Sequence, residues 1–164
     1  ILFSVIIILL VDRIPPFFFQ ERIGLNKKKF NIIKLRTMKA HINDSLPTHE
    51  INHNDLTLTG KFLRKFKLDE IPQLLNVLKG EMSLVGPRPC LPNQYDLISE
   101  RDKNGVFKAL PGITGLAQIK GIDMSNPELL ALTDAKMLKD LDLKNYFRYI
   151  FLTLIGRGSG DRIS

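Results

Sequence analysis

The sequence predicts a mixed fold of the α/β or α+β class, with short strands and helices in a single domain. Apolar residues repeat with helical spacing between Ile71 and Leu78, and residues of alternating character run from Phe30 to Met38. The chain of 164 residues has the length of a single domain and is long enough to bury a core.

The N-terminal segment ILFSVIIILLV, residues 1–11, carries no charge. At about 1.5 Å per residue a helix of this length reaches about 16 Å, roughly half of a hydrocarbon core, so the segment cannot span a bilayer alone. It is either a buried core element or an interfacial or re-entrant membrane segment. The basic run Lys27 to Lys29 follows it, as a juxtamembrane cluster would.

Between these segments, the sequence pattern predicts a strand at Phe30–Met38, a polar loop at Ala40–Thr59 and a short helix at Gly60–Lys67. The loop contains His41, His49 and His53, and solvated loop positions are favoured over a metal site because no cysteine or close pairing accompanies them.

Further along the chain, turn and cap signals separate the remaining elements. The predictions are a strand at Met82–Val85, a helix at Gln94–Phe107, a stiff turn at Pro111–Gly115, a strand at Leu116–Lys120, and a helix at Leu129–Leu141 that starts from Ser125 to Glu128.

Aromatic and aliphatic residues dominate positions 146–155, flanked by Lys144, Arg148 and Arg157. This pattern is typical of an amphipathic helix with aromatic anchors at a membrane interface. A plain core helix is the alternative.

The net charge of +7 is unevenly placed, because the stretch from Arg22 to Lys67 holds eleven basic and three acidic residues. Such a stretch implies an anionic partner, which could be nucleic acid, anionic lipid or a nucleotide diphosphate. Nucleic acid is disfavoured, because no helix-turn-helix, zinc or RNP signature is present. The single cysteine, Cys90, excludes an intramolecular disulfide and is predicted to be a buried thiol.

The segment KLDEIPQLLNVLKGEMSLVGPRP, residues 67–89, contains the residues that indicate chemistry. Asp69 is predicted at or near a helix N-cap, where the positive helix end favours its ionised form. An ionised carboxylate can serve as a nucleophile or a metal ligand. Arg88 lies between two prolines, which would pre-position its guanidinium for an oxyanion. There are two alternatives without chemistry. The acids could simply stabilise the positive end of the helix, and Arg88 could form an ordinary surface ion pair.

Four segments in order make the chain resemble the bacterial sugar transferases that are monotopic phosphoglycosyl transferases. They are FFQERIGLNKKKFNIIKLRTM, LRKFKLDEIPQLLNVLKGEMSLVGPRP, LPGITGLAQIKG and GRGSGDR. The resemblance implies a re-entrant membrane segment, here part of residues 1–20, and a catalytic part, residues 21–164, on the cytoplasmic face of the bacterial inner membrane. It also places the Ser-Pro pair that bends the re-entrant helix just before Ile1, so the first arm of that helix is expected upstream.

The resemblance further implies transfer of a sugar phosphate from a UDP-sugar to polyprenyl (undecaprenyl) phosphate through an aspartyl-phosphosugar. Asp69 falls on the nucleophile and Glu70 on its dyad partner, and Mg2+ is the implied cofactor, held by these two carboxylates. The other implied phosphate- and substrate-binding positions are Arg64, Arg88, Lys34 and Asp134, the last two in supporting roles, and the turn residues Pro111, Gly112, Thr114 and Gly115.

One stretch departs from the family pattern, because Ile122 in Lys120-Gly121-Ile122-Asp123 stands where many members carry an arginine. A substrate contact is therefore expected to differ. The alternative to an enzyme is a catalytically silent, basic membrane-surface module of a glycan assembly complex. Retention of Asp69, Glu70 and Arg88 together favours the enzyme. The oligomeric state and the sugar are left open.

Overall fold

The computed structural model describes residues 2–39 and 55–156, and the elements below are those of this part of the chain. Residues 40–54 of the predicted loop, with His41, His49 and His53, lie outside the described residues. The helices are α1 (Leu2–Ile7), α2 (Leu58–Lys65), α3 (Leu74–Leu78), α4 (Tyr95–Lys103), α5 (Leu116–Ile119), α6 (Pro127–Lys139) and α7 (Leu143–Leu154), and the strands are β1 (Phe17–Ile23), β2 (Lys29–Leu35), β3 (Ser83–Val85) and β4 (Gly112–Thr114).

The N-terminal apolar segment is helical. After α1 a π-helical turn, Ile8–Asp12, continues the helix until Arg13 adopts a left-handed conformation. Ile8 is buried against Leu35 of β2 and Leu63 of α2, so part of the segment packs on the domain. No helix within the described ranges is both long and apolar enough to cross a bilayer.

The strands β1 and β2 form an antiparallel hairpin in which Phe17 lies opposite Leu35. The ladder ends at Leu35, earlier than the predicted Met38, which makes only an isolated bridge with Leu56. The strand β1 continues across residues 20 and 21, where the predicted membrane segment ends and the predicted catalytic part begins.

The two acidic residues lie in a 3₁₀ helix, Leu68–Gln73, which packs on β2 and precedes α3. Asp69 lies in the first turn of this helix, near its N-cap as predicted; the N-cap residue is Lys67, with a left-handed backbone at φ 55°. Pro72 has no N–H to bond back to residue 68, so the α-helical ladder starts only at Leu74.

The apolar stripe of α3 faces away from the core, contrary to the usual reading of such a pattern. Leu74, Leu75 and Leu78 are exposed, whereas Asn76 is completely buried. The Asn76 side-chain amide donates to the Asn31 carbonyl at 2.8 Å, and its oxygen accepts from the Ile33 N–H at 3.1 Å. These bonds fasten the polar side of α3 to β2 and so turn its leucines outward.

The short strands β3 and β4 pair in parallel, with Ser83 opposite Gly112 and Val85 opposite Thr114. The prediction of a turn at Pro111–Gly115 followed by a strand at Leu116–Lys120 is wrong, because the strand is Gly112–Thr114 and the following residues form α5. Glycines permit this pairing: a Cβ on Gly112 would come within 2.0 Å of the Gly86 nitrogen. The glycine pair thus brings the segment after β3 against β4.

The remaining helices complete one domain of mixed helix and strand. α4 packs on α6 and ends at Lys103, and Val106–Lys108 is a separate 3₁₀ turn, so the predicted helix Gln94–Phe107 is broken at Gly105. α6 starts after an Asn126 cap, as predicted. The main core cluster consists of Ile23, Cys90, Leu97, Phe107, Ala117 and Leu130. Cys90 is buried, as predicted, and burial raises the pKa of its thiol.

Candidate active site

Asp69 and Glu70 are both buried, with exposed fractions of 5% and 8%. Helix-dipole decoration on a surface does not explain buried acids, because removing a carboxylate from water is costly unless cations or hydrogen bonds compensate. The residues that compensate Glu70 come from two distant parts of the chain.

The first is Arg88, whose Nη2 donates to Glu70 Oε1 at 2.9 Å. The second is Lys34 on β2, a buried lysine whose Nζ lies 3.6 Å from the same oxygen. Together these two cations carry one positive charge more than the Glu70 carboxylate neutralises, and this excess attracts anions.

Lys67 is a further cation of the site that sequence reasoning missed. Burial lowers the pKa of its ammonium; Arg88 also lowers it, whereas Glu70 and Asp69 raise it. These groups therefore share one electrostatic environment. The sequence could have indicated this role, because Lys67 lies two residues before Asp69 in the segment 67–89.

Arg64 lies in the last turn of α2, where its Nε donates to the Thr37 hydroxyl at 2.9 Å. Its Nη1 is buried and has no hydrogen-bond partner within the described ranges. An unsatisfied guanidinium donor is costly, and an anionic oxygen would satisfy it.

The residues Pro111 to Gly115 form β4 and its flanks. A Cβ on Gly115 would come within 2.5 Å of the Gly86 carbonyl oxygen, so close packing accounts for this glycine as it does for Gly112. The Thr114 hydroxyl bonds to the Thr153 hydroxyl of α7 at 2.5 Å. A substrate contact by this segment stays a prediction.

Asp134 is buried on α6 and binds Arg101 of α4. Its Oδ2 accepts from Arg101 Nη2 at 2.6 Å and from Nε at 3.1 Å. Burial raises the pKa of this carboxyl, and the Arg101 guanidinium opposes the rise. Arg101 Nη1 donates to the Arg88 carbonyl at 2.7 Å, so Asp134 reaches the site through two arginines.

Arg101 was missed from the sequence, although a signal existed. It lies four residues after the buried Leu97 on α4, and Asp134 likewise lies four residues after the buried Leu130 on α6. A charged residue that lies on the buried face of each of two helices indicates a buried ion pair.

A metal site made by protein side chains alone is absent from the described ranges, where no group of three or more His, Cys, Asp or Glu residues clusters. The adjacent Asp69 and Glu70 nevertheless fit Mg2+, which commonly binds to one or two carboxylates together with substrate phosphates and water.

Comparison with known proteins identifies the family of the chain. A profile described as bacterial sugar transferase matches residues 1–157. An uncharacterized sugar transferase, EpsL of Bacillus subtilis, is 46% identical over 121 residues, which are 74% of this chain and 59% of EpsL. The UDP-glucose:undecaprenyl-phosphate glucose-1-phosphate transferase of Caulobacter vibrioides is 40% identical over 132 residues, 78% of this chain and 49% of that protein.

The undecaprenyl-phosphate galactose phosphotransferase of Salmonella typhimurium is 32% identical over 157 residues, covering 85% of this chain and 32% of that protein. The chain therefore spans about three fifths or less of the length of these relatives. The match over nearly the whole of this chain shows that it belongs to the bacterial sugar transferase family.

Proposed function

We propose that this protein transfers a sugar phosphate from a UDP-sugar to polyprenyl (undecaprenyl) phosphate, and so starts the assembly of a glycan such as an O-antigen, a capsule, an exopolysaccharide or a glycoprotein glycan. The observation that carries the proposal is the contact of Arg88 and Lys34 with Glu70 beside the buried Asp69. The names of relatives, which include glucose and galactose phosphate transferases of undecaprenyl phosphate, support the substrate class.

In the first step the Asp69 carboxylate attacks the β-phosphorus of the UDP-sugar. A bond forms between Asp69 Oδ and this phosphorus, the bridging oxygen–phosphorus bond breaks, and UMP leaves with the bond electrons. In the second step a phosphate oxygen of polyprenyl phosphate attacks the same phosphorus, which yields the polyprenyl diphosphosugar and frees the Asp69 carboxylate. Each step is one displacement at phosphorus.

A carboxylate is a weak nucleophile towards an anionic diphosphate, so the site must offset the phosphate charges. Arg88 and Lys34 supply fixed cations, and the buried Nη1 of Arg64 supplies a donor without a protein partner in the described ranges. Mg2+ held by Asp69 and Glu70 would neutralise further diphosphate charge. Ile122 leaves one expected arginine contact absent, so part of the substrate is held differently.

The membrane is the proposed location of the reaction, on the cytoplasmic face of the bacterial inner membrane. Exposed apolar residues line one face of α7, spaced as Leu143, Phe147, Phe151 and Leu154. Helix α2 and the residue that caps its C-terminus also expose Leu58, Phe62 and Phe66 at regular spacing. Lys144 and Arg148 are exposed on α7, where they can reach anionic headgroups.

Flotation with vesicles that contain anionic lipid tests this membrane contact. The double variant Phe147→Asp/Phe151→Asp should lower the fraction of protein bound to vesicles. An unchanged bound fraction would show that α7 does not contact the membrane.

Trapping the covalent intermediate tests the reaction. The protein is incubated with a panel of UDP-sugars without acceptor and examined by peptide mass spectrometry. A phosphosugar on the peptide containing Asp69, formed with release of UMP, is the expected result, and chelation of divalent metal should suppress it. UMP release without any protein adduct would contradict the covalent route, and neither product with any UDP-sugar would favour the silent membrane module.

A further inference from the structure

The backbone around Arg88 is held at four successive carbonyl groups. Each accepts a hydrogen bond from a residue outside the segment. Pro87 accepts from Gly112 N–H at 2.9 Å, Arg88 from Arg101 Nη1 at 2.7 Å, Pro89 from Arg22 Nη1 at 3.1 Å, and Cys90 from Ile23 N–H at 2.9 Å. Two of the donors are buried arginines.

The flanking prolines make these carbonyl contacts decisive. Pro87 and Pro89 fix φ at their own positions and offer no N–H, so the segment can be anchored to its surroundings there only through carbonyls. The Arg88 carbonyl belongs to the same residue as the guanidinium that contacts Glu70. Movement of this peptide group would move the guanidinium relative to Asp69 and Glu70.

Arg101 is suited to this task because its guanidinium is engaged on all three nitrogens. Nε and Nη2 donate to Asp134, and Nη1 donates to the Arg88 carbonyl. Both side chains of the pair are 2% exposed. Well-packed apolar residues often match or exceed the stability of such a buried pair, so stability alone gives no reason for it.

We propose that Arg101 and Asp134 are positioning residues for the reaction, which hold Arg88 in the orientation that meets the diphosphate. Asp134 acts by fixing the Arg101 guanidinium and does not touch phosphate itself. The expected loss of transfer rate rests on the proposed function. The expected loss of Arg88 orientation rests only on the carbonyl contacts.

The first test uses the double variant Arg101→Met/Asp134→Leu, which removes both charges together and avoids leaving one buried and unpaired. The substrate is a UDP-sugar that forms the covalent adduct in the trapping experiment. For its transfer, kcat/KM is expected to fall about 10- to 100-fold, the size expected for a misplaced reactive group. Arg101→Lys is the second variant if the double variant does not fold, because lysine lacks the fork that binds both Asp134 and the Arg88 carbonyl.

The decisive readout repeats these substitutions in an Arg88→Ala background. A residue that acts through Arg88 has nothing left to position there, so its effect on kcat/KM should vanish. Leu97→Ala is the matched control, since it weakens the packing of the same helix α4 from a core position and should act equally in both backgrounds. Equal losses for the Arg101 variants in both backgrounds would overturn the inference.

A measurement without turnover separates this inference from the proposed function. The Nε–Hε order parameter of Arg88, from 15N-labelled arginine, should fall in Arg101→Lys and stay at the parental value in Leu97→Ala. An unchanged order parameter in Arg101→Lys overturns the positioning role. Absence of transfer by the parental protein with every UDP-sugar would instead overturn the proposed function, and the NMR comparison would still decide the role of Arg101.

Discussion

Two groups of acidic and basic residues meet at Arg88, and they differ in how their charges are balanced. The first group, called here the site cluster, consists of Asp69, Glu70, Lys34, Lys67 and Arg88. The second, the support pair, consists of Arg101 and Asp134. The Arg88 guanidinium belongs to the site cluster, whereas its carbonyl is bound by the support pair.

The support pair is balanced within the protein, because one guanidinium meets one carboxylate and both are almost fully buried. The site cluster has more cations than carboxylates, and the arginine side chain remains 15% exposed. A group with excess positive charge and an opening to solvent is completed by an anionic ligand. Removal of a charge from the site cluster should therefore cost activity, and removal from the support pair should also cost stability.

The largest effect is expected for Asp69→Asn. The amide keeps the shape of the side chain but removes the nucleophile, so transfer should fall by about four orders of magnitude or more. Acceptor-dependent release of UMP measures this, and the melting temperature should stay close to the parental value. Asp96→Asn, at an exposed acid in the first turn of α4, is the control that should retain activity. Near-parental turnover of Asp69→Asn would exclude Asp69 as the nucleophile.

The next effect is one of stability. Asp134→Ala leaves the Arg101 guanidinium buried without its carboxylate, which is expected to lower the free energy of unfolding by about 3–5 kcal/mol. Denaturant unfolding measures the change. Asp102→Ala is the matched control, because Asp102 pairs with Lys27 at the surface, where ion pairs contribute little. Equal losses in the two variants would contradict the contrast between the support pair and an ordinary ion pair.

Arg88→Ala should lower kcat/KM by about 10²- to 10³-fold, as for loss of one pre-organised donor to the developing charge. Initial rates over a range of UDP-sugar concentrations measure it. Arg36→Ala removes an arginine that stacks over Phe18, and its activity should stay within a few-fold of parental. If both variants lose activity equally, Arg88 has no special role in the site cluster.

The smallest effect is expected at Lys67. Lys67→Met should raise KM for the UDP-sugar about tenfold, as for loss of one charge-assisted contact. Since burial lowers the pKa of Lys67 from 10.5, its ammonium loses the proton at lower pH than an exposed lysine, and parental binding should weaken as the pH rises through that pKa. The variant should lack this alkaline rise in KM. Lys65→Met, at an exposed lysine beside it, should keep the rise, and a rise that persists in Lys67→Met would assign it to another group.

Much of the fold could be predicted because local signals are strong where helices and strands are long. The helix after the Asn126 cap and the start of the strand β2 lie close to their predicted positions. The errors in the type of element fall in short elements. β4 lies in a segment that reads as a turn, since only its pairing with β3 makes it a strand, and α5 follows it where a strand was predicted.

The outward stripe of α3 could not be predicted, because periodicity shows that a helix has two faces and does not show which face is buried. Asn76 decides it by bonding the β2 backbone, and that contact joins residues 43 and 45 positions apart. Likewise, the glycines of Pro111–Gly115 indicate close approach, but only the fold identifies Gly86 as the neighbour.

The sequence by itself determined the kinds of groups available: two adjacent carboxylates, an arginine held between prolines, and a basic stretch that calls for an anionic partner. These follow from residue types and their order along the chain. The tertiary structure alone decided that Lys34 and Arg88 meet at Glu70, and that Arg101 and Asp134 hold the backbone of Arg88. The physical reason is that ion pairs and carbonyl contacts depend on distances of a few ångströms between residues far apart in the chain, and chain order does not specify those distances.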